Sequence, residues 1–122
     1  MPVELIHHVN IRARPDDVAR LKHFYCEVLG LYQGYRPPFA SNGYWLYAAG
    51  QPVLHLVEGA ETSAGAGAVD HISFCCSELD SVKARLNERG VPYQITQVPV
   101  LGHLQLFVRD PLGLGVELTV LG

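Results

Sequence analysis

With 122 residues, 48% of them hydrophobic, and a formal charge of −3, the chain has the length and balance of one globular domain with one sizeable core. Nine scattered Lys and Arg argue against a nucleic-acid surface, and no stretch approaches the roughly 20 apolar residues that cross a bilayer. Residues 1–12 lack the zones of a signal peptide, so a cytoplasmic protein is expected, and three cysteines, two of them adjacent at Cys75 and Cys76, suggest reduced thiols rather than a disulfide framework or a metal clip.

In chain order, Leu5 to Arg12 alternates as a strand, with Leu5, Val9 and Ile11 on one face and His8, Asn10 and Arg12 on the other. His7 falls on the face away from His8. Pro15-Asp16-Asp17 opens a helix whose apolar stripe is Val18, Leu21, Tyr25, Val28 and Leu29 and whose stop is Gly30; His23 lies outside that stripe. Strands follow at Leu31 to Tyr35, Gly43 to Ala48 and, after a turn at Gly50-Gln51-Pro52, Val53 to Glu58. The aromatic residues Tyr44, Trp45 and Tyr47 are packing residues or an aromatic wall.

Residues 59–68 are small and flexible in composition and read as a joint. The same order then repeats: a strand over Val69 to Phe74, a helix opened by Ser77 with Asp80 three residues on, a stripe of Leu79, Val82 and Leu86, and a stop at Gly90. Strands are expected at Tyr93 to Val98, His103 to Val108 and Gly115 to Val120, the last two joined by the turn Asp110-Pro111-Leu112-Gly113.

The halves also match in detail. His71-Ile72-Ser73-Phe74 follows His8-Val9-Asn10-Ile11 by 63 positions, and Gly115-Val116-Glu117-Leu118 follows Val53-Leu54-His55-Leu56 by 62. Such duplication puts residues of the first and last strands of each half in equivalent positions. One single domain over 1–122 is expected, with module one at 1–58, the joint at 59–68 and module two at 69–122. If each helix covers one sheet face, the other face carries His8, Asn10, Arg12, His55, His71, Ser73, Cys75, Glu117 and Thr119. Three imidazoles and a carboxylate on related positions suit Fe, Mn, Co, Ni or Zn.

The first strand around His7-His8-Val9, the helix end Phe24-Tyr25-Cys26-Glu27-Val28-Leu29-Gly30, the strand Val69-Asp70-His71-Ile72 and the closing Arg109-Asp110-Pro111-Leu112-Gly113-Leu114-Gly115-Val116-Glu117-Leu118 together resemble the vicinal oxygen chelate superfamily. That group includes glyoxalase I, extradiol dioxygenases and bleomycin and fosfomycin resistance proteins. The resemblance implies an α+β fold of two tandem β-α-β-β-β modules forming an eight-stranded half-open cup, and commonly a homodimer. It implies a divalent metal held by His8, His71 and Glu117. Glyoxalase I has a ligating glutamate where this chain has His55, which leaves His55 as a fourth ligand, an acid/base group or a support for the ligands. His103 is a further candidate acid/base or substrate contact, with an edge histidine in solvent as the alternative.

The function so implied is a small metal-dependent isomerase, lyase or ring-cleaving dioxygenase whose small-molecule substrate chelates the ion through neighbouring oxygens. A non-catalytic binding protein of the bleomycin-resistance type is the alternative reading. Neither nucleic acid nor a membrane is an expected partner.

Overall fold

The computed structural model describes residues 2–62 and 68–120. The chain separates into two compact units, Met1–Ser63 and Ala64–Gly122. The expected joint lies partly outside the described residues, at 63–67.

In the first unit the order is β1 (Val9–Ala13), α1 (Pro15–His23), β2 (Tyr32–Gly34), β3 (Gly43–Ala48) and β4 (Gln51–Glu58), with the four strands hydrogen-bonded in the order β1-β4-β3-β2. β1 runs parallel to β4, and the other pairs are antiparallel. Helix α1 starts where Pro15 needs no amide partner and where Asp16 and Asp17 meet the positive end of the helix dipole. After His23 the backbone widens into a π segment, Phe24–Val28, and ends at Gly30 with φ +86°, the left-handed geometry that glycine tolerates. Val18, Leu21, Phe24, Tyr25 and Val28 are buried with Leu46, Leu54 and Leu56 from the sheet, forming the core of this unit.

The second unit repeats the order with β5 (His71–Cys75), α2 (Leu79–Glu88), β6 (Gln94–Gln97), β7 (Leu104–Arg109) and β8 (Gly115–Val120), arranged β5-β8-β7-β6. β5 pairs parallel with β8, the counterpart of β1 with β4. Its core is Val82 and Leu86 of the helix with Leu106, Val108, Val116 and Leu118. Helix α2 ends as a Schellman motif: Val91 N–H bonds the Leu86 carbonyl at 3.0 Å, Gly90 N–H bonds Asn87 at 3.2 Å, and Gly90 has φ +65°. The Asp110 side chain caps the β7–β8 turn, accepting from the amides of Leu112 and Leu114 at 2.9 and 3.0 Å.

Four local expectations are corrected. β1 begins at Val9, not Leu5, and Leu5 and Ile6 are 76% and 85% exposed. The β3–β4 turn is Ala49-Gly50, both with positive φ, so Gln51 and Pro52 already belong to β4. The two shifts share a cause. The β3–β4 register breaks between Leu46 and Ala48, leaving a bulge at Pro52 and Val53; Pro52 has no N–H to give a neighbouring strand, and β1 pairing starts only at Leu54. Ser77 does not cap α2, which begins at Leu79 with Glu78 before it and no side-chain cap. His103 precedes β7 instead of opening it, its carbonyl accepting from the Val98 amide at 2.8 Å across the β6–β7 turn.

Candidate functional site

Each unit gathers polar side chains on the sheet face away from its buried apolar residues. In the first, the pairing of Asn10 with His55 and of Trp45 with His55 sets these three in one row. His55 is 8% exposed and lies between two flat neighbours: Trp45 stacks on it at 4.0 Å and 8°, His8 at 3.8 Å and 12°. Its Nε2 donates to the Pro52 carbonyl at 3.1 Å, an acceptor made available by the bulge. That bond puts the proton on Nε2 and leaves Nδ1 with its lone pair. Burial, then the adjacent His8, pushes the His55 imidazole below its ordinary value, which keeps it neutral at neutral pH. His8 itself is exposed and bonds His7 through their Nδ1 atoms at 3.0 Å, leaving the Nε2 of each ring outside that bond.

In the second unit, register pairs Ser73 with Glu117 and Glu117 with Phe107, while Cys75, Thr119 and Gln105 form the next row. The His71 Nδ1 donates to Asp70 Oδ2 at 2.9 Å, which turns Nε2 toward Glu117 Oε2 at 3.5 Å. Gln105 Nε2 donates to the same Glu117 oxygen at 3.2 Å, and Ser73 and Thr119 share a hydroxyl bond at 2.8 Å. The Asp70 hydrogen bond, with help from the Glu117 charge and against desolvation, raises the His71 basicity. Gly115 is required beside it: a Cβ there would come within 2.7 Å of the Asp70 carbonyl and 3.0 Å of His71 Cβ.

The sequence candidates thus form two pairs, His8 with His55 and His71 with Glu117. Among the described residues no group of three or more His, Cys, Asp or Glu is close enough to hold an ion. The donor chemistry of the second pair nevertheless fits a divalent metal. With Nδ1 bonded to Asp70, the His71 Nε2 atom and a Glu117 carboxylate oxygen face each other at 3.5 Å. A proton on Nε2 makes this contact an ion pair, and a divalent ion in place of that proton suits the same two atoms, because ligands bound at about 2.1 Å to one ion stand roughly 3.0–3.4 Å apart. The first pair behaves differently. Imidazole lone pairs lie in the ring plane, and planes 12° from parallel at 3.8 Å do not converge on one ion. His103 is half-buried before β7 and has no side-chain hydrogen bond among the described residues; His23 is exposed on α1. Asp70, Gln105 and Trp45 were not among the site residues expected from the sequence. Trp45 had a signal as a strand aromatic, but only the register sets it opposite His55, and only a side-chain hydrogen bond joins Gln105 to Glu117.

The profile of the Glyoxalase/Bleomycin resistance protein/Dioxygenase superfamily matches residues 5–118. The chain belongs to this superfamily. The protein Glyoxylase I 4 of Arabidopsis thaliana is 31% identical over 122 residues, a match covering 93% of this chain and 68% of that protein. A glyoxalase family protein from Enterococcus faecalis superposes with a TM-score of 0.67 at 26% identity, covering 98% of this chain and 99% of that one. The glyoxylase/bleomycin resistance protein/dioxygenase domain from Frankia sp. EAN1pec reaches a TM-score of 0.77 at 20% identity, covering 98% and 99%. The α+β arrangement of tandem β-α-β-β-β units is therefore the superfamily's fold. No helix among the described residues is long and apolar enough to cross a membrane.

Proposed function

We propose that this member of the glyoxalase superfamily is a metal-dependent enzyme acting on a small molecule that binds the ion through two neighbouring oxygens, in isomerase, lyase or ring-cleaving dioxygenase chemistry. The ligands assigned are His71, Glu117 and His8. The observation that carries this reading is His71 Nε2 standing 3.5 Å from the Glu117 carboxylate, with the far ring nitrogen tied to Asp70. A bound divalent ion would supply Lewis-acid stabilisation of negative charge developing on a substrate oxygen.

The chain's own side chains divide the remaining work. Asp70 fixes the tautomer and ring plane of His71, and Gln105 orients Glu117. His55 is the proton carrier: burial keeps it neutral, Pro52 holds its Nε2–H, and Nδ1 is left to accept a proton from substrate. Trp45 and His8 shield its two faces from water. His103 is the weaker candidate for that role, because nothing among the described residues orients its ring.

The test is metal analysis of the purified protein, followed by a screen of α-ketoaldehyde adducts, catechols and small epoxides with the matching ion. His71→Ala and Glu117→Gln should each lose the metal, whereas His55→Gln should keep it and lose turnover. Full metal retention when His71→Ala and Glu117→Gln are combined would overturn the assignment. The other reading is a metal-free binder of the bleomycin-resistance type. It predicts ligand binding that EDTA does not change.

A further inference from the structure

The first unit contains a cavity of about 250 Å³ on the His55 face, with Asn10, Arg12, Arg36, Phe39, Ser41 and Trp45 among its walls. Two guanidinium groups line it, and no Asp or Glu does. Arg36 is half-buried and anchored by neutral partners only: Nη1 donates to the Ser41 carbonyl at 2.9 Å, Nη2 to Ser41 Oγ at 3.2 Å, and its Cζ sits 5.0 Å over the Phe39 ring. Its Nε is buried and, among the described residues, has no hydrogen-bond partner. These contacts hold the guanidinium in place, occupy two of its five donors and leave its charge uncompensated. Arg12 lies on the same face, its Cγ and Cδ about 3.0 Å from where a Cβ on Gly59 would stand, and has no ion pair among the described residues.

A half-buried, immobilised cation without a counter-ion is unfavourable until an anion arrives, and guanidinium groups match carboxylates through paired hydrogen bonds. Beside them the Trp45 and Phe39 rings, 6.2 Å apart, offer apolar faces for a flat group. The volume is below the range usual for drug-sized ligands, which restricts the occupant to a small molecule. We propose that this cavity binds the carboxylate of a small organic acid bearing a flat apolar group, with Arg36 as the principal anion contact and Arg12 as the second. The assignment rests on the reading above of this face as a small-molecule site and names the class of ligand; the anion contact itself needs no metal.

Trp45 is the single tryptophan of the chain and lines the cavity, so its fluorescence reports occupancy. Mandelate and its neutral counterpart mandelamide are titrated into the EDTA-treated 122-residue chain, where chelation does not contribute. Mandelate should bind more tightly by about tenfold or more, and Arg36→Gln and Arg12→Gln should each remove most of that preference while leaving mandelamide within about twofold. Arg36→Lys should recover part of it, because charge survives without the planar fork. Far-ultraviolet circular dichroism checks each variant's fold; if Arg36→Gln does not fold, Arg12→Gln and the loss of preference at high salt in wild type carry the test. Equal binding of the two compounds, no binding of mandelate, tighter binding of inorganic phosphate, or a preference that survives the arginine changes would each overturn the proposal. Failure of the metal reading alone leaves the mandelate preference in EDTA intact, so the two failures are distinguishable.

Discussion

His71 illustrates how one neighbour sets the chemistry of a side chain. Its ring is substantially exposed, and an exposed imidazole rotates and changes tautomer freely unless something holds it. Asp70, the preceding residue, supplies that hold through a 2.9 Å bond to Nδ1. Replacing Asp70 with Asn keeps the shape and removes the charge, so metal affinity measured by competition with a chromophoric chelator should fall by about 10–100-fold. The His71 imidazole should also titrate closer to its ordinary value in that variant, read by NMR on the metal-free protein, because the largest cause of its upward shift is gone. An unchanged titration would show that the Asp70 bond is not formed in solution. The candidate histidines 8, 55 and 71 and Glu117 were all legible in the sequence, because duplication marked them as equivalent positions. Their partners were not, since Asp70 and Gln105 act through a hydrogen bond whose direction depends on side-chain geometry.

Elements carry constraints that no single side chain shows. β5 and β8 approach so closely at the His71–Gly115 pair that only glycine fits in β8. Gly115→Ala should therefore destabilise the fold by about 1–3 kcal/mol in chemical denaturation, and the displaced His71 should weaken metal binding as well. Stability equal to wild type would show that β5 can shift at little cost. β4 tells a related story with Pro52. A proline near the start of a strand signals an interrupted ladder, and here it coincides with a bulge whose carbonyl captures His55. Sequence alternation located the strand but misjudged its first residues, because it reports which face a residue occupies and not where pairing with a neighbour begins. The same limit explains β1, whose apolar pattern extends to Leu5 although its pairing with β4 starts only at Val9 and Leu54.

At the scale of the whole chain, two units of equal strand order are each built around their own apolar core. The segment leaving the first unit is tied back to α1 by Thr62, whose hydroxyl donates to Asp17 Oδ2 at 2.6 Å and accepts from the Arg14 amide at 3.1 Å. Asp17 is 6% exposed and also bonds Arg20 at 2.9 Å. The Thr62 bond, ahead of the two arginines, holds the Asp17 carboxyl below its ordinary value of 3.8 despite the opposing effect of burial. A lowered folded-state value means stabilisation that is present above pH 3.8 and is lost as the pH falls through the folded-state value. Thr62→Val should thus be less stable than wild type at neutral pH, and the difference should shrink in strong acid, where Asp17 is protonated in both. Urea titrations over that range check the trend; a difference independent of pH would assign the effect to packing.

The start of α1 at Pro15, the helix stops at Gly30 and Gly90, the alternation of strand faces and the repeated first- and last-strand positions followed from the sequence by itself, because each depends on backbone geometry and periodicity within a few residues. Register, the bulge at Pro52, the stack of His8, His55 and Trp45, and the turn of His71 toward Glu117 were decided only by tertiary structure. These depend on which residues stand opposite one another across strands remote in sequence, and that pairing is set by how all the side chains of a sheet and its helix fill one core together.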